Sequence, residues 1–409
     1  MPSDLVYEPF WTAVSPYTPY QNGTKPALFT DQMKSCFSTL LKRDVLGVEE
    51  RPLGHGVFNV VYELVFKDGG QACVARICYN FKDNDEGRQN ARETTVEEVA
   101  ILALLEKMAP AITVPRVLGY DVHTKNLIGA PFILLSKLEG CNLSELAMNK
   151  ELWQDFTLFL PGLAHALADL FSVAIPNKIG PVVGVSDSGS VVIGPFREEA
   201  VFRPSDRPFD STLEYFEWRI SATIWEGKEN ANVDVEALLQ RLKILAQRLI
   251  ACLDPSLLRV CLVHLDPHDR NVMVKDSRFS GLVDWQALAL PAFMAAEYPP
   301  YLRYDGMRED RYAALNEYGD VDYMDKHIAR RPLFVRVCQL TATFLSDPLK
   351  KGLWCCKERN PLYARALTEG QTLRQLVEWL TFVEWKNDYV WEGLQLWEVD
   401  QREKLDAAQ

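Results

Sequence analysis

The stretch Val263-His264-Leu265-Asp266-Pro267-His268-Asp269-Arg270-Asn271-Val272-Met273-Val274, resumed a few residues later by Gly281-Leu282-Val283-Asp284-Trp285-Gln286, decides how the rest of the chain is read. Two short β-branched runs bracket a loop carrying His264, Asp266 and Asn271 at the spacing H-x-D-x-x-x-x-N, and Asp284 closes the second run. A carboxylate at the start of such a loop can accept a hydroxyl proton. A later amide oxygen and a second carboxylate can hold Mg²⁺ against nucleotide phosphates. These are the parts that phosphoryl transfer requires.

The segment resembles the catalytic and metal-binding loops of the aminoglycoside phosphotransferase and choline-kinase-like family, small-molecule relatives of protein kinases. The family's H-G-D-x-H-x-x-N and I-D-W-E are matched here by His264-Leu265-Asp266-Pro267-His268-Asp269-Arg270-Asn271 and Val283-Asp284-Trp285-Gln286. His268 and Trp285 are the small-molecule-kinase features, where protein kinases carry Lys and Phe-Gly. The resemblance implies an α+β, bilobal protein-kinase-like fold: a small antiparallel β lobe with one helix, then a larger, mostly helical lobe. It further implies ATP and Mg²⁺, with Asp266 as catalytic base and Asn271 and Asp284 as metal ligands. A hydroxylated small molecule would be the acceptor. His264 is expected to brace the loop, and His268 to touch either the loop backbone or the substrate.

The remaining parts lie upstream in the order the resemblance requires. Gly54-His55-Gly56 stands where a glycine-rich loop would let backbone N–H groups approach phosphates without an intervening Cβ, although Asn59 replaces a third glycine. Arg76, in Cys73-Val74-Ala75-Arg76-Ile77-Cys78, occupies the place of the phosphate-clamping Lys and brings a planar two-pronged cation instead. Val74, Arg76 and Cys78 share a strand face, so an inward guanidinium needs a partner. Periodicity does not separate Glu97, in phase with Ile101 and Leu104, from Glu98, in phase with Leu102 and Leu105. Resemblance to the family's E-x-x-x-L helix selects Glu98. The connector Leu134 to Gly140 would present main-chain groups of Ser136 and Leu138 to an adenine edge. Glu297, Tyr298 and Asp305 follow the metal loop as acceptor-pocket candidates.

Composition is that of a globular protein, with 48% hydrophobic and 24% charged residues over 409 positions. A net charge of −12 argues against nucleic-acid binding. No apolar run reaches membrane-spanning length, and nine cysteines without a C-x-x-C pair fit a reducing, cytoplasmic setting. The chain divides into an arm and helix over 1–43, capped at Thr30, a nucleotide-binding lobe over 44–139 and a catalytic, substrate-binding lobe over 140–409. Hydrophobic alternation predicts a hairpin over Val60 to Cys78. Lys82 to Arg92 reads as a charged, mobile segment before a helix from Thr94, and 180–210 as a wrapping loop. The alternative activity is that of a catalytically impaired kinase fold, favoured by Asn59, Arg76 and Gln286.

Overall fold

The computed structural model describes residues 31–49, 52–55, 58–79, 84–148, 156–186, 190–197, 204–222, 233–296, 299, 359–382 and 388–408. Gly56, Glu297, Tyr298, Asp305, the 1–28 arm and the Thr30 cap lie outside them.

An antiparallel sheet forms the first lobe. Its strands are β1 (Val45–Val48), β2 (Gly54–His55), β3 (Asn59–Phe66), β4 (Cys73–Cys78), β5 (Val117–Asp121) and β6 (Phe132–Ser136). They run in the order β1-β3-β4-β6-β5, with β2 beside β3. The period-two pattern determines the faces. Val60, Tyr62, Leu64 and Phe66 of β3 join Cys73, Ala75 and Ile77 of β4 in one buried cluster. Helix α1 (Asp31–Leu41) covers that face because Met33 and Phe37, one turn apart, both point inward. Phe37 meets Phe132 edge-on at 5.2 Å.

The opposite face of the sheet receives helix α2 (Asp85–Met108). Its Ile101, Leu102, Leu104 and Leu105 pack with Val74, Ile133 and Leu135 in a core continuous with the second lobe. The helix begins at Asp85, not near Thr94. Asn84 caps it by accepting the Gly87 N–H at 2.7 Å, and Asp85 and Glu86 suit the positive end of the helix dipole. From Asp85 to Arg92 the charged run taken for a mobile segment is therefore the first turns of this helix.

Past the connector come β7 (Cys141–Asn142), α3 (Leu143–Met148), α4 (Leu160–Phe171), α5 (Thr212–Ala222) and α6 (Val235–Ala251). The expected loop over 180–210 instead contains β8 (Gly180–Val185) and β9 (Val191–Ile193). With β10 (Val260–His264) and β13 (Ala287–Pro291) they form a second sheet in the order β10-β13-β8-β9. Between β10 and β13, β11 (Val272–Lys275) and β12 (Arg278–Leu282) make a hairpin whose outer edge pairs with β7. Asp276 and Ser277 both take positive φ, the conformation of a tight primed turn.

Helices α7 (Ala292–Ala295), α8 (Pro361–Ala366), α9 (Gln371–Phe382) and α10 (Asp388–Ala407) complete the described lobe. Buried Arg374 ties three of them together by donating to the carbonyls of Phe293, Ala296, Ala366, Leu367 and Glu369 at 2.6–3.1 Å. Trp379, Trp391 and Trp397 pack against the main core. Trp385 lies outside the described residues. No described helix is long and apolar enough to cross a membrane. The fold is α+β and bilobal.

Candidate active site

Pairing of β10 with β13, in register from Val260–Pro291 to His264–Ala287, closes the segment that carries the loop residues into one unit. Leu265 N–H donates to the Gln286 carbonyl at 2.9 Å, and Val283 N–H to the Asn271 carbonyl at 3.0 Å. Asp266, Asn271 and Asp284 are thus brought to the same end of the two hairpins by backbone bonds alone.

His264 is fully enclosed, with its ring 4.6 Å from that of Trp285. Its Nδ1 accepts the Asp266 N–H at 3.1 Å, which makes Nε2 the protonated nitrogen, donating to the Val283 carbonyl at 3.2 Å. Burial pulls its pKa down to about 4, so the ring is neutral and braces the loop. That is the structural part expected of it.

Asp266 is 59% exposed at the side chain, with His268 Nε2 3.6 Å from Oδ2. Partial burial raises its pKa, His268 opposes the rise, and the nearby negative charges of Asp284 and Asp269 add to it. His268 Nδ1 accepts the Arg270 N–H at 3.0 Å, a contact to the loop backbone, while Nε2 faces the Asp266 carboxylate. Asn271 is buried. Its Nδ2 donates to the Asp266 carbonyl at 2.9 Å, so Oδ1 is the atom turned away from that bond.

Asp284 has φ of +59°, a left-handed conformation that costs a non-glycine residue free energy and recurs where a side chain is aimed for function. Its carboxylate, 48% exposed, accepts from Arg76 Nη2 at 2.5 Å. Arg76 Nη1 donates to Glu98, whose side chain is 3% exposed. The inward guanidinium predicted from strand phase thus has two partners. Burial works against the Arg76 charge, but Glu98 and Asp284 outweigh it and hold its pKa above the ordinary value. Burial pushes the Glu98 carboxyl up, against the pull of Arg76 and a hydrogen bond from the Trp285 backbone. Cys78, on the same face, has its thiol pushed up to about 11 by burial and stays protonated.

The structure also separates the two glutamates that periodicity could not. Glu97 points the other way, to Arg197 beyond β9, which also reaches Glu93 at 3.0 Å. Burial raises the Glu97 carboxyl to about 7, with Arg197 opposing and Glu93 reinforcing the rise.

In the connector, Ser136 N–H donates to the Arg116 carbonyl at 2.9 Å, and its hydroxyl accepts the Arg116 N–H at 2.8 Å. Among the described residues Leu138 has no backbone partner, so its main chain is the open edge of this connector. Gly140 follows at φ +97°, where a Cβ would lie 2.1 Å from the Val274 carbonyl oxygen. At Gly54, in β2, an added Cβ would meet Val61 Cβ at 4.0 Å and no nearer atom among the described residues. One residue escaped sequence reasoning: buried Asp269, whose carboxylate takes the Ser144 hydroxyl of α3 and whose carbonyl takes the Ser144 N–H at 3.3 Å. An acidic residue following a histidine in a polar loop carries no pattern that would have marked it.

The phosphotransferase enzyme family model matches residues 49–298. The clavilactone A biosynthesis cluster protein Y of Ampulloclitocybe clavipes is 26% identical over 332 residues, 79% of this chain and 76% of that protein. Among solved structures, a Haemophilus somnus protein described as a fructosamine-3-kinase aligns at 13% identity with a TM-score of 0.48, over 91% of this chain and 98% of that one. A thermostable mutant of aminoglycoside phosphotransferase APH(4)-Ia, in ternary complex with ADP and hygromycin B, aligns at 12% identity with a TM-score of 0.46, over 92% and 97%.

Proposed function

Because this chain belongs to the phosphotransferase enzyme family, with a protein-kinase-like fold, we propose that it moves the γ-phosphate of ATP to a hydroxyl of a small molecule, with Mg²⁺ at Asn271 and Asp284. The observation that carries the reading is the convergence of Asp266, Asn271 and Asp284 with the Arg76–Glu98 pair at one end of the β10–β13 unit. The relative named for a biosynthesis cluster adds weight to a small-molecule acceptor.

The donor set fits Mg²⁺. Among the described residues no three His, Cys, Asp or Glu side chains gather as a cation cage. Mg²⁺ is ordinarily held by one or two carboxylates together with phosphate oxygens and water, not by a dedicated protein cage. Asn271 Oδ1 and the half-exposed Asp284 carboxylate supply the protein's share, and the bound cation would neutralise charge on the transferring phosphoryl group.

In this reading Asp266 takes the proton from the acceptor hydroxyl. Its raised pKa makes it a stronger base than an ordinary aspartate. His264 holds the Asp266 backbone, and His268 steadies the carboxylate from its Oδ2 side. Arg76, anchored on Glu98, presents charge to the phosphates, and Gly54 and Gly56 are proposed to contribute to phosphate binding through their main chain. Main chain of Leu138 and Ser136 receives the adenine edge, with 44–139 proposed as the nucleotide lobe and 140–409 as the catalytic lobe. Glu297, Tyr298 and Asp305 follow the metal loop in sequence and are proposed to contribute to acceptor recognition.

Of the three features behind the impaired-kinase reading, Asn59, Arg76 and Gln286, Arg76 holds the glutamate partner that the Lys would hold. Titration of Mg²⁺–ADP into wild type and R76A tests the nucleotide half of the proposal. Saturable binding to wild type, weakened at least about tenfold in R76A, is expected from the loss of a charged contact to phosphate. Absence of nucleotide binding to wild type refutes the reading.

A further inference from the structure

The Arg76 side chain touches both the buried anchor of the site and the carboxylate proposed for the metal. Nη1 donates to Glu98 and Nη2 to Asp284 Oδ1 at 2.5 Å. An ammonium offers one nitrogen, whereas a guanidinium fork can span two acceptors that lie on different elements. The two arms are unequal. Glu98 is 3% exposed, sits inside α2 and also takes a backbone hydrogen bond from Trp285, so breaking that arm would strand a buried charge. Asp284 is 48% exposed and sits in a loop, so its carboxylate can pass to another cation without being stranded.

We propose that Arg76 is a nucleotide-operated latch on the metal-binding carboxylate: in the free protein it occupies Asp284, and phosphate oxyanions draw its Nη2 away so that Asp284 is released to the cation. The inference rests on the nucleotide reading above and deepens it by setting an order: the metal carboxylate opens with nucleotide, not before. The charges balance on both sides of the exchange. Before it, one guanidinium serves two carboxylates. After it, the guanidinium serves Glu98 and a phosphate, and Asp284 serves Mg²⁺. The same arrangement accounts for Arg in place of Lys, because the fork keeps one nitrogen on Glu98 while the other, reaching a separate acceptor, changes partner.

Two measurements on the full chain test this. Mn²⁺ alone, without nucleotide, is titrated into wild type, R76K and R76K/D284N, with free Mn²⁺ followed by electron paramagnetic resonance. R76K, whose one nitrogen stays with Glu98, is expected to bind Mn²⁺ about tenfold tighter than wild type, and D284N to cancel the gain. Equal affinities in wild type and R76K overturn the latch. The second measurement needs no substitution at Arg76: the melting midpoints of wild type and D284N are compared with and without metal-free ADP. D284N is expected to melt below wild type when free, and the gap to narrow once ADP phosphates occupy Nη2. An ADP-induced rise in both proteins with no gap between them overturns the exchange and leaves the nucleotide reading standing. No rise with ADP in either protein removes that reading, and the latch with it.

Discussion

His264 shows how one side chain can be essential without moving a proton in the reaction. Its neutral ring links the Asp266 N–H to the Val283 carbonyl, and burial keeps its pKa near 4. An unfolded histidine titrates near 6.5, so between about pH 6.5 and 4 the unfolded chain binds a proton that the folded chain refuses. The stability His264 contributes is therefore complete above pH 6.5 and lost as pH falls toward 4. H264Q cannot titrate, and the stability difference between wild type and H264Q is expected to shrink by about 3 kcal/mol over that window. Denaturant midpoints at four or five pH values measure it. A difference that does not vary with pH contradicts the neutral, buried ring. Because Glu98 titrates alike in both proteins, its opposite pH trend cancels in the comparison. At this scale much was legible in the sequence. The spacing of His264, Asp266 and Asn271 and the strand phase of Arg76 are local properties. The choice between Glu97 and Glu98 was not local, because it depends on where Arg197, a hundred residues on, meets α2.

At the scale of elements, the connector and the β11–β12 hairpin are locked by backbone contact. Gly140 lies against Val274 so closely that a methyl group would collide with the carbonyl, and its φ of +97° is itself unfavourable for any side chain. G140A is expected to lose about 3 kcal/mol or more of stability, with β11–β12 amides exchanging faster with solvent. G47A, in β1 with nothing within 4 Å of the added carbon, serves as the control and should shift the midpoint little. A G140A protein as stable as G47A would contradict the close approach. Two elements were misread from sequence, each for a physical reason. The start of α2 is hydrophilic on all sides, so it carried no apolar stripe, and only the Asn84 cap and the acidic first turn marked it. β8 and β9 are short and lie among Gly, Pro and Ser, and β13, the strand that joins β8 to the rest of the sheet, comes far later in the chain. Pairing at that distance leaves no local signature.

For the molecule as a whole, two lobes and their order were readable, because a run of strands with one long helix gives way to a mainly helical remainder. What holds the second lobe around the site was not readable. Arg374 looks like any surface arginine of an amphipathic helix, yet it is buried and its guanidinium satisfies carbonyls at the ends of α7 and α8. R374M keeps similar bulk and takes the guanidinium donors away from the carbonyls of Phe293, Ala296 and Ala366. A loss of about 2–4 kcal/mol is expected in denaturant unfolding, with catalysis per folded molecule less affected than stability. A variant of wild-type stability would contradict this account of the lobe's packing. The account's central claim, that Asp266 serves as the base of a small-molecule kinase, is tested most directly by label transfer from γ-labelled ATP with Mg²⁺ to a panel of hydroxylated metabolites, comparing wild type with D266N at matched nucleotide occupancy. The account predicts a phosphorylated acceptor with wild type, and with D266N a rate lower by about 10²–10⁴-fold despite undiminished nucleotide binding. A D266N protein that transfers label at the wild-type rate would contradict it.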